Sequence, residues 1–210
     1  MTMASIKVYG VPPSTFTRAV LMGCQEKGID YELVPTFPST VGPLNPFGKI
    51  PAMTHGELTL FESSAILRYL DGAFSGPKLW PADARAAALV DQWVAAACDS
   101  LLNSAQRYMA SRFNFLPVPA EMSKKYLDKS REVLPVFDRQ LGKTRYLAGE
   151  ALTAADLVAS PAFFYFPEIA ELRDILDAQP NCRRWMDDIA ARPSFAATVT
   201  PPEMRPKLAN

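Results

Sequence analysis

Two places in the chain put hydroxyls and backbone donors where an anion can be held. Ser14 follows Val11-Pro12-Pro13 and precedes Phe16, Val20 and Cys24 at i, i+4, i+8, with Thr17 and Leu21 alongside, so it is an N-cap candidate for a helix that Gly28 closes. Glu62-Ser63-Ser64 stands in the same way before Ala65, Ile66, Tyr69 and Leu70. A helix start carries N–H donors without intrahelical partners and a partial positive charge, which favour an anion. Between the two lies Ile50-Pro51, an X-Pro peptide before a strand, which can be cis at a cost of only about 0.5–1 kcal/mol. His55 is the one histidine, so His-rich metal sites are excluded and a Ser-His-Asp triad would have a single possible base. It falls in a turn, where an exposed side chain is expected. Cys24, Cys98 and Cys182 are odd in number and far apart, with no C-x-x-C and no zinc-ligand spacing. Cys24 and Cys98 fit helical apolar patterns and are expected as small core residues.

These groups need elements to hold them. Ser5 to Tyr9 alternates as a short strand that Gly10-Val11-Pro12-Pro13 breaks, the helix from Ser14 to Lys27 follows, and Tyr31 to Val34 is a second strand. A helix between two strands predicts a parallel pair with a right-handed crossover. After a Pro/Ser/Gly-rich connection, Pro35 to Leu44, come Ile50-Pro51-Ala52-Met53, a turn at Thr54-His55-Gly56-Glu57, and Leu58 to Phe61, a hairpin ahead of the Glu62 helix. The order βαβ–loop–ββα is the thioredoxin-like layout. Residues 1–76 are read as this α/β domain, 77–82 as a linker and 83–210 as an all-helical domain. In the latter, Asp83 caps a long helix with Ala86, Leu89, Val90, Trp93, Val94, Ala97 and Leu101 on its apolar face. Leu127, Leu134, Phe137 and Leu141 mark a second helix broken at Gly142, and a third starts near Thr153. Shorter helices are expected at 168–177 and 181–191.

The chain has 210 residues with 22 Lys+Arg and 22 Asp+Glu, and the balance holds in each part, with six of each sign in 1–80 and sixteen of each in 81–210. A nucleic-acid partner would call for a basic surplus, and none is present. The start has no basic region followed by an apolar one, and no stretch approaches the ~18–20 apolar residues of a membrane span. A cytoplasmic protein with reduced thiols is the expectation, with neither a nucleic-acid nor a membrane partner.

Asn45-Pro46-Phe47-Gly48-Lys49-Ile50-Pro51-Ala52-Met53, followed by Phe61-Glu62-Ser63, resembles the N-terminal domain of cytosolic glutathione S-transferases. The phi class matches best, including its Val8-Tyr9-Gly10…Pro12-x-Ser14…Thr17-Arg18 opening. Gly149-x-x-x-Thr153-x-x-Asp156-Leu157 is similar to that family's capping box and hydrophobic staple, with Leu152 against Leu157. The resemblance spans essentially the whole chain in order and spacing. It implies a homodimeric enzyme that conjugates glutathione, taken as co-substrate with no cofactor and no metal, to a small hydrophobic electrophile. It makes Ser14 the catalytic residue, donating a hydrogen bond to the glutathione sulfur, with Thr15 and Thr17 as nearby substitutes.

The energetics are sufficient. Lowering a thiol pKa of about 8.5 by roughly two units takes about 2.7 kcal/mol. A hydrogen bond to a charged group contributes about 1.5–3 kcal/mol and a helix N-terminus ~0.3–1 kcal/mol more. No general base is required. The resemblance further implies a cis Pro51 exposing the Ile50 backbone to the cysteinyl unit, and Glu62 with Ser63 on the γ-glutamyl group. Arg18 is either a surface charge or a group that orients the γ-glutamyl region. The family's His-Lys pair for the glycyl carboxylate is missing between Pro35 and Leu44, which leaves Lys49 as the donor, with Ser39 or Thr40 in support. Pro13, Phe16, Tyr108, Phe113 and Phe115 are expected to meet the electrophile between the domains, with at most one of Phe163, Phe164, Tyr165 and Phe166. Phe47 resembles the key that inserts into a partner subunit, a core role being the alternative. Two other functions share the fold: a non-enzymatic ligand-binding or assembly protein, and a glutathione-dependent thiol reductase or peroxidase, which would want cysteine at position 14.

Overall fold

The computed structural model describes residues 5–115 and 118–208. It divides into two compact units, Met1–Pro81 with Arg192–Arg205, and Ala82–Ala191 with Pro206–Asn210. This departs from a helical domain running over 83–210, because Arg192–Arg205 packs with the first unit.

In the first unit, β1 (Ile6–Gly10), α1 (Thr15–Lys27), β2 (Tyr31–Pro35), β3 (Ala52–His55), β4 (Leu58–Phe61) and α2 (Ser63–Ala73) follow in order. The sheet order is β2-β1-β3-β4, with β1 parallel to β2 and antiparallel to β3, and β3 antiparallel to β4. Alternation in β1 sends Ile6 and Val8 into a core with Val20, Leu21 and Cys24 of α1, Met53 of β3, and Ile66 and Leu70 of α2. Gly28 ends α1 in the left-handed conformation, φ 64°, its N–H bonded back to the carbonyls of Cys24 and Gln25. Gly10 answers a close approach: a Cβ there would lie 2.3 Å from Thr17 Oγ1. The first turn of α1 can therefore settle against the end of β1 only because no side chain intervenes.

The segment expected as a linker is packed. Leu79 and Trp80 are buried, and their N–H groups donate to the Asp71 carboxylate at 2.9 and 3.2 Å. Lys27 Nζ donates to the same carboxylate at 3.1 Å and to the Pro77 carbonyl at 3.1 Å, so one buried ion pair joins α1, α2 and the 77–80 segment. Residues Arg192–Arg205 contain α9 (Pro193–Ala197) and a 3-10 turn at Pro202–Met204.

The second unit is helical: α3 (Ala84–Ala96) capped by Asp83, a π-helical stretch (Ala97–Gln106), α4 (Arg107–Arg112), α5 (Ala120–Leu141), α6 (Ala154–Phe163), α7 (Ala170–Asp177) and α8 (Pro180–Ala190). Cys98 lies in the π-helical stretch and is half-buried, so it is less enclosed than the periodicity predicts. The centre of this unit is Asp156, fully buried at the start of α6. Its carboxylate accepts from the N–H groups of Thr153 and Leu147 at 2.9 Å each and from Trp185 Nε1 and Thr153 Oγ1 at 3.0 Å each. Burial pushes the Asp156 carboxyl up and these donors oppose the shift. Among the described residues no helix is long and apolar enough to cross a membrane.

The Lys27–Asp71 pair makes the first unit sensitive to mutation and to acid. Lys27→Met is expected to cost about 3–5 kcal/mol of unfolding free energy, since it leaves a buried carboxylate without its counter-charge. Burial works against ionisation of Asp71, but the Leu79 N–H, the Lys27 ammonium and the Trp80 N–H together hold its carboxyl below the ordinary value. A depressed carboxyl adds stability above its unfolded pKa, about 3.9, and loses it as pH falls through the folded value. Thermal melts from pH ~6 to ~3 should therefore fall more steeply for the wild-type chain than for Asp71→Asn.

Candidate functional site

The strand register gathers the three candidate segments at one end of the sheet. Tyr9 near the end of β1 pairs with Ala52 at the start of β3, and Ala52 pairs with Phe61 at the end of β4. The chain leaving β1 toward Ser14, the chain entering β3 through Ile50-Pro51 and the chain leaving β4 into Glu62-Ser63 therefore lie side by side. Residues about 37 and 48 positions apart in sequence meet because two strands are antiparallel neighbours of a third.

Ser14 caps α1 in extended geometry, φ −72° and ψ 121°, and its Oγ accepts from the Thr17 N–H at 3.2 Å. A serine hydroxyl has one donor hydrogen besides its acceptor lone pairs, so this cap leaves the O–H to donate elsewhere. Thr15 and Thr17 do not substitute for it: both are buried, 4% and 0% exposed, whereas Ser14 is half-buried. Pro13 and Phe16, beside it in sequence, are also half-buried.

The Ile50-Pro51 peptide is cis. Ile50 precedes the paired residues of β3, and among the described residues no backbone hydrogen bond to it is found. Its approach is shaped by Asn45, 1% exposed, whose Nδ2 donates to the Lys49 carbonyl at 2.7 Å while its Oδ1 accepts from the Phe47 N–H at 3.0 Å. Sequence reasoning gave Asn45 no role of its own, although an Asx turn ahead of a proline is the local signal for it. The Lys49 side chain is exposed and makes no ion pair among the described residues. Glu62 precedes α2 with φ 66° and ψ 115°, an uncommon backbone for a residue with a Cβ, and its side chain is exposed and makes no cap bond. Ser63, buried, is the first residue of the helix.

Other expectations change. Arg18 is not a surface charge. It is 1% exposed, with its guanidinium 3.9 Å over the Phe195 ring and Nη2 donating to the Phe195 carbonyl at 3.1 Å. His55 closes β3 instead of standing in a solvated turn. The turn is Gly56-Glu57, and His55 is half-buried with Nδ1 2.6 Å from the Tyr69 hydroxyl and its ring beside Tyr69 and Phe74. The aromatic candidates of the second unit divide. Tyr108 is buried, its phenol pushed up to about 12 by burial and by the Glu171 carboxylate to which it donates. Phe113 is buried among Phe115 and Tyr165, and Phe115 is 59% exposed. Phe163, Tyr165 and Phe166 are core residues, and Phe164 is half-buried. Cys24 and Cys182 are enclosed and burial pushes both thiols up to about 12, so neither is poised for thiol exchange.

In this unit two helix starts and a proline-bordered strand entry meet at one end of the sheet, which brings backbone donors of both helices to one place. The sequence matches the glutathione S-transferase N-terminal domain over residues 8–78 and the C-terminal domain over residues 98–193. It is 34% identical to glutathione S-transferase 3 of Zea mays over 217 residues, covering 94% of each chain. A Methylobacillus flagellatus glutathione S-transferase solved with glutathione bound superposes with a TM-score of 0.83 at 26% identity, covering 94% of this chain and all of that one. Maize glutathione S-transferase I in complex with an atrazine glutathione conjugate gives 0.82 at 28% identity, over 95% of this chain and all of that one. The chain belongs to the glutathione S-transferase family, and plant phi-class enzymes are among its relatives.

The backbone at Glu62 separates stability from binding. Glu62→Gly is expected to leave the melting temperature unchanged or raised, because glycine adopts positive φ without a Cβ penalty. Calorimetric affinity for glutathione should drop roughly tenfold or more, the worth of one charge-assisted hydrogen bond. Unchanged affinity would remove Glu62 from the binding set.

Proposed function

We propose that this glutathione transferase generates the glutathione thiolate at Ser14, and that the thiolate attacks a small hydrophobic electrophile. The observation that carries the reading is the meeting of Ser14, Ile50-Pro51 and Glu62-Ser63 at one end of the sheet. Ser14 donates its O–H to the sulfur while its Oγ keeps the Thr17 N–H capped. Ile50, two residues ahead of Ala52 and without a backbone hydrogen bond among the described residues, offers its backbone to the cysteinyl unit in strand-like fashion, with Pro51 bordering that edge. The start of α2, with Ser63 and the Glu62 carboxylate, receives the carboxylate and the amino group of the γ-glutamyl end. Lys49, exposed and without an ion pair among the described residues, takes the glycyl carboxylate.

The thiol proton passes to solvent water as the lowered pKa favours the anion; the thiolate then forms the bond to the electrophile as the leaving group departs or the acceptor takes up the electron pair, and no general base of the protein is involved. Pro13 and Phe16 supply apolar surface beside Ser14, and exposed Phe115 is the aromatic of the second unit best placed to meet a ligand. The family and the free cysteines support a cytoplasmic location. Phe47, 68% exposed with its ring edge-on to Phe61, is the side chain we assign to a homodimer contact.

Calorimetry and ultraviolet absorbance with glutathione test the site. Wild type should show a thiolate band at neutral pH, and Ser14→Ala should lose it, with the bound thiol titrating about 1–2 units higher. The same variant should lose about 1 kcal/mol of stability with its cap. A band that survives Ser14→Ala rejects the serine role. Size-exclusion chromatography tests Phe47: Phe47→Ala should elute as a monomer, and an unaltered dimer peak would reject the assignment.

A further inference from the structure

The turn that presents Ser14 is made of Val11, Pro12 and Pro13, and two of these residues have no N–H. Its position must therefore be set through carbonyl oxygens, and each of three in succession has a partner. The Gly10 carbonyl accepts from the Thr36 N–H at 3.2 Å, and the Val11 carbonyl from the Ser14 N–H at 3.0 Å. The Pro12 carbonyl accepts from Thr200 Oγ1 at 3.0 Å. The first two are local to the sheet and the turn. The third comes from 188 residues away.

Thr200 is itself fixed. It is fully buried, and its carbonyl accepts from Arg205 Nε at 3.3 Å. The segment leading to it is fastened along α1 at two further points. Arg192 makes a fork of hydrogen bonds to Glu26, at 2.7 Å from Nε and 2.6 Å from Nη2, and Ser194 donates to the same carboxylate. Phe195 lies under the Arg18 guanidinium. The carboxyl-terminal segment thus grips the far end and the first turn of α1 before it reaches the turn that precedes the helix. Thr200 thus brings a side-chain donor from the carboxyl-terminal segment onto the turn that presents Ser14.

We propose that Thr200 is a positioning residue for glutathione activation: by holding the Pro12 carbonyl it sets where Ser14 Oγ stands, and so how well Ser14 stabilises the thiolate. The inference rests on the Ser14 reading. A misplacement of about 1 Å can cost up to ~10²-fold in rate, so a single hydrogen bond two residues from Ser14 has leverage.

The test is the pH titration of the thiolate band in the glutathione complex, read for wild type, Thr200→Val, Thr200→Ser and Ser14→Ala, each with its melting temperature. Thr200→Val keeps the shape and removes the donor, and it should raise the pKa of bound glutathione by about half to one unit, a roughly three- to tenfold loss of thiolate below that pKa. Thr200→Ser should restore the wild-type value. A role confined to stability would lower the melting temperature of Thr200→Val and leave the titration where it was, and that result overturns the proposal. If Thr200→Val does not fold, Thr200→Cys, with its weak S–H donor, takes its place: a shift of the same sign supports the proposal and a wild-type titration overturns it. Ser14→Ala separates the two ideas. A shift in Ser14→Ala with none at position 200 rejects Thr200 alone, and no shift in Ser14→Ala rejects the serine reading and this inference with it.

Discussion

In the proposed mechanism the hydroxyl of Ser14 is where the fold and the chemistry meet. The first turn of α1 has backbone N–H groups that no carbonyl of the helix can satisfy, and Ser14 Oγ accepts one of them, from Thr17. Acceptance uses a lone pair and leaves the proton, so capping and donation to a sulfur anion do not compete. The rest of the first unit can be read as what holds that oxygen in place. Gly10 lets Thr17 close on the end of β1, the β1–β3 register brings Ile50-Pro51 alongside, and the β3–β4 register brings up the start of α2. An electrostatic site fixed before its ligand arrives avoids reorganisation when the charge forms, which is where such donors gain most of their effect.

Local patterns carried most of this in the sequence. Period-two alternation in 5–9, the i, i+4, i+8 spacing from Phe16 and the glycine at 28 are visible within a dozen residues, and they define β1, α1 and its end. The hairpin and the Thr153–Asp156 capping box are equally local. What was not legible depends on partners remote in sequence. Arg18 looks like a surface or ligand-facing charge in the first turn of a helix, and its burial is decided by Phe195, 177 residues on. His55 sits next to a glycine and reads as a turn residue, but its environment comes from Tyr69 in α2 and Phe74 at that helix's end. Tyr108 and Phe113 have the composition of a ligand-facing cluster, and packing within the second unit encloses both. The position of 192–205 could not be inferred from proline punctuation, which marks where helices stop and not where the chain goes next.

Charge neutrality takes on a different meaning once the units are known. By sequence, the first 80 residues balance. The unit that folds also contains Arg192, Glu203 and Arg205, which leave it one positive charge in surplus. Two enclosed ion pairs form within it: Lys27 with Asp71, and Glu26 with Arg192. Burial and the Arg192 and Ser194 hydrogen bonds act in opposite directions on the Glu26 carboxyl, and the hydrogen bonds prevail, holding it below its ordinary value. Both pairs involve the last two turns of α1, so the end of the helix distant from Ser14 is tied down by ion pairs, whereas Arg18 in the first turn holds the Phe195 ring and carbonyl.

The turn ahead of Ser14 is held by different means. A charged anchor there would add a fixed field at the place where a thiolate has to form, and a strong local donor to a carboxylate would bring a like charge next to it. Two prolines solve part of the problem by limiting φ and removing N–H groups that would otherwise need partners. They leave carbonyls, which are neutral acceptors, and neutral donors complete them: the Thr36 N–H, the Ser14 N–H and the Thr200 hydroxyl. The turn is thereby fixed without adding net charge beside the sulfur. On this account the prolines, the buried threonine and the serine cap form one arrangement, in which rigidity comes from neutral hydrogen bonds and the thiolate is stabilised by a single O–H and the helix start behind it.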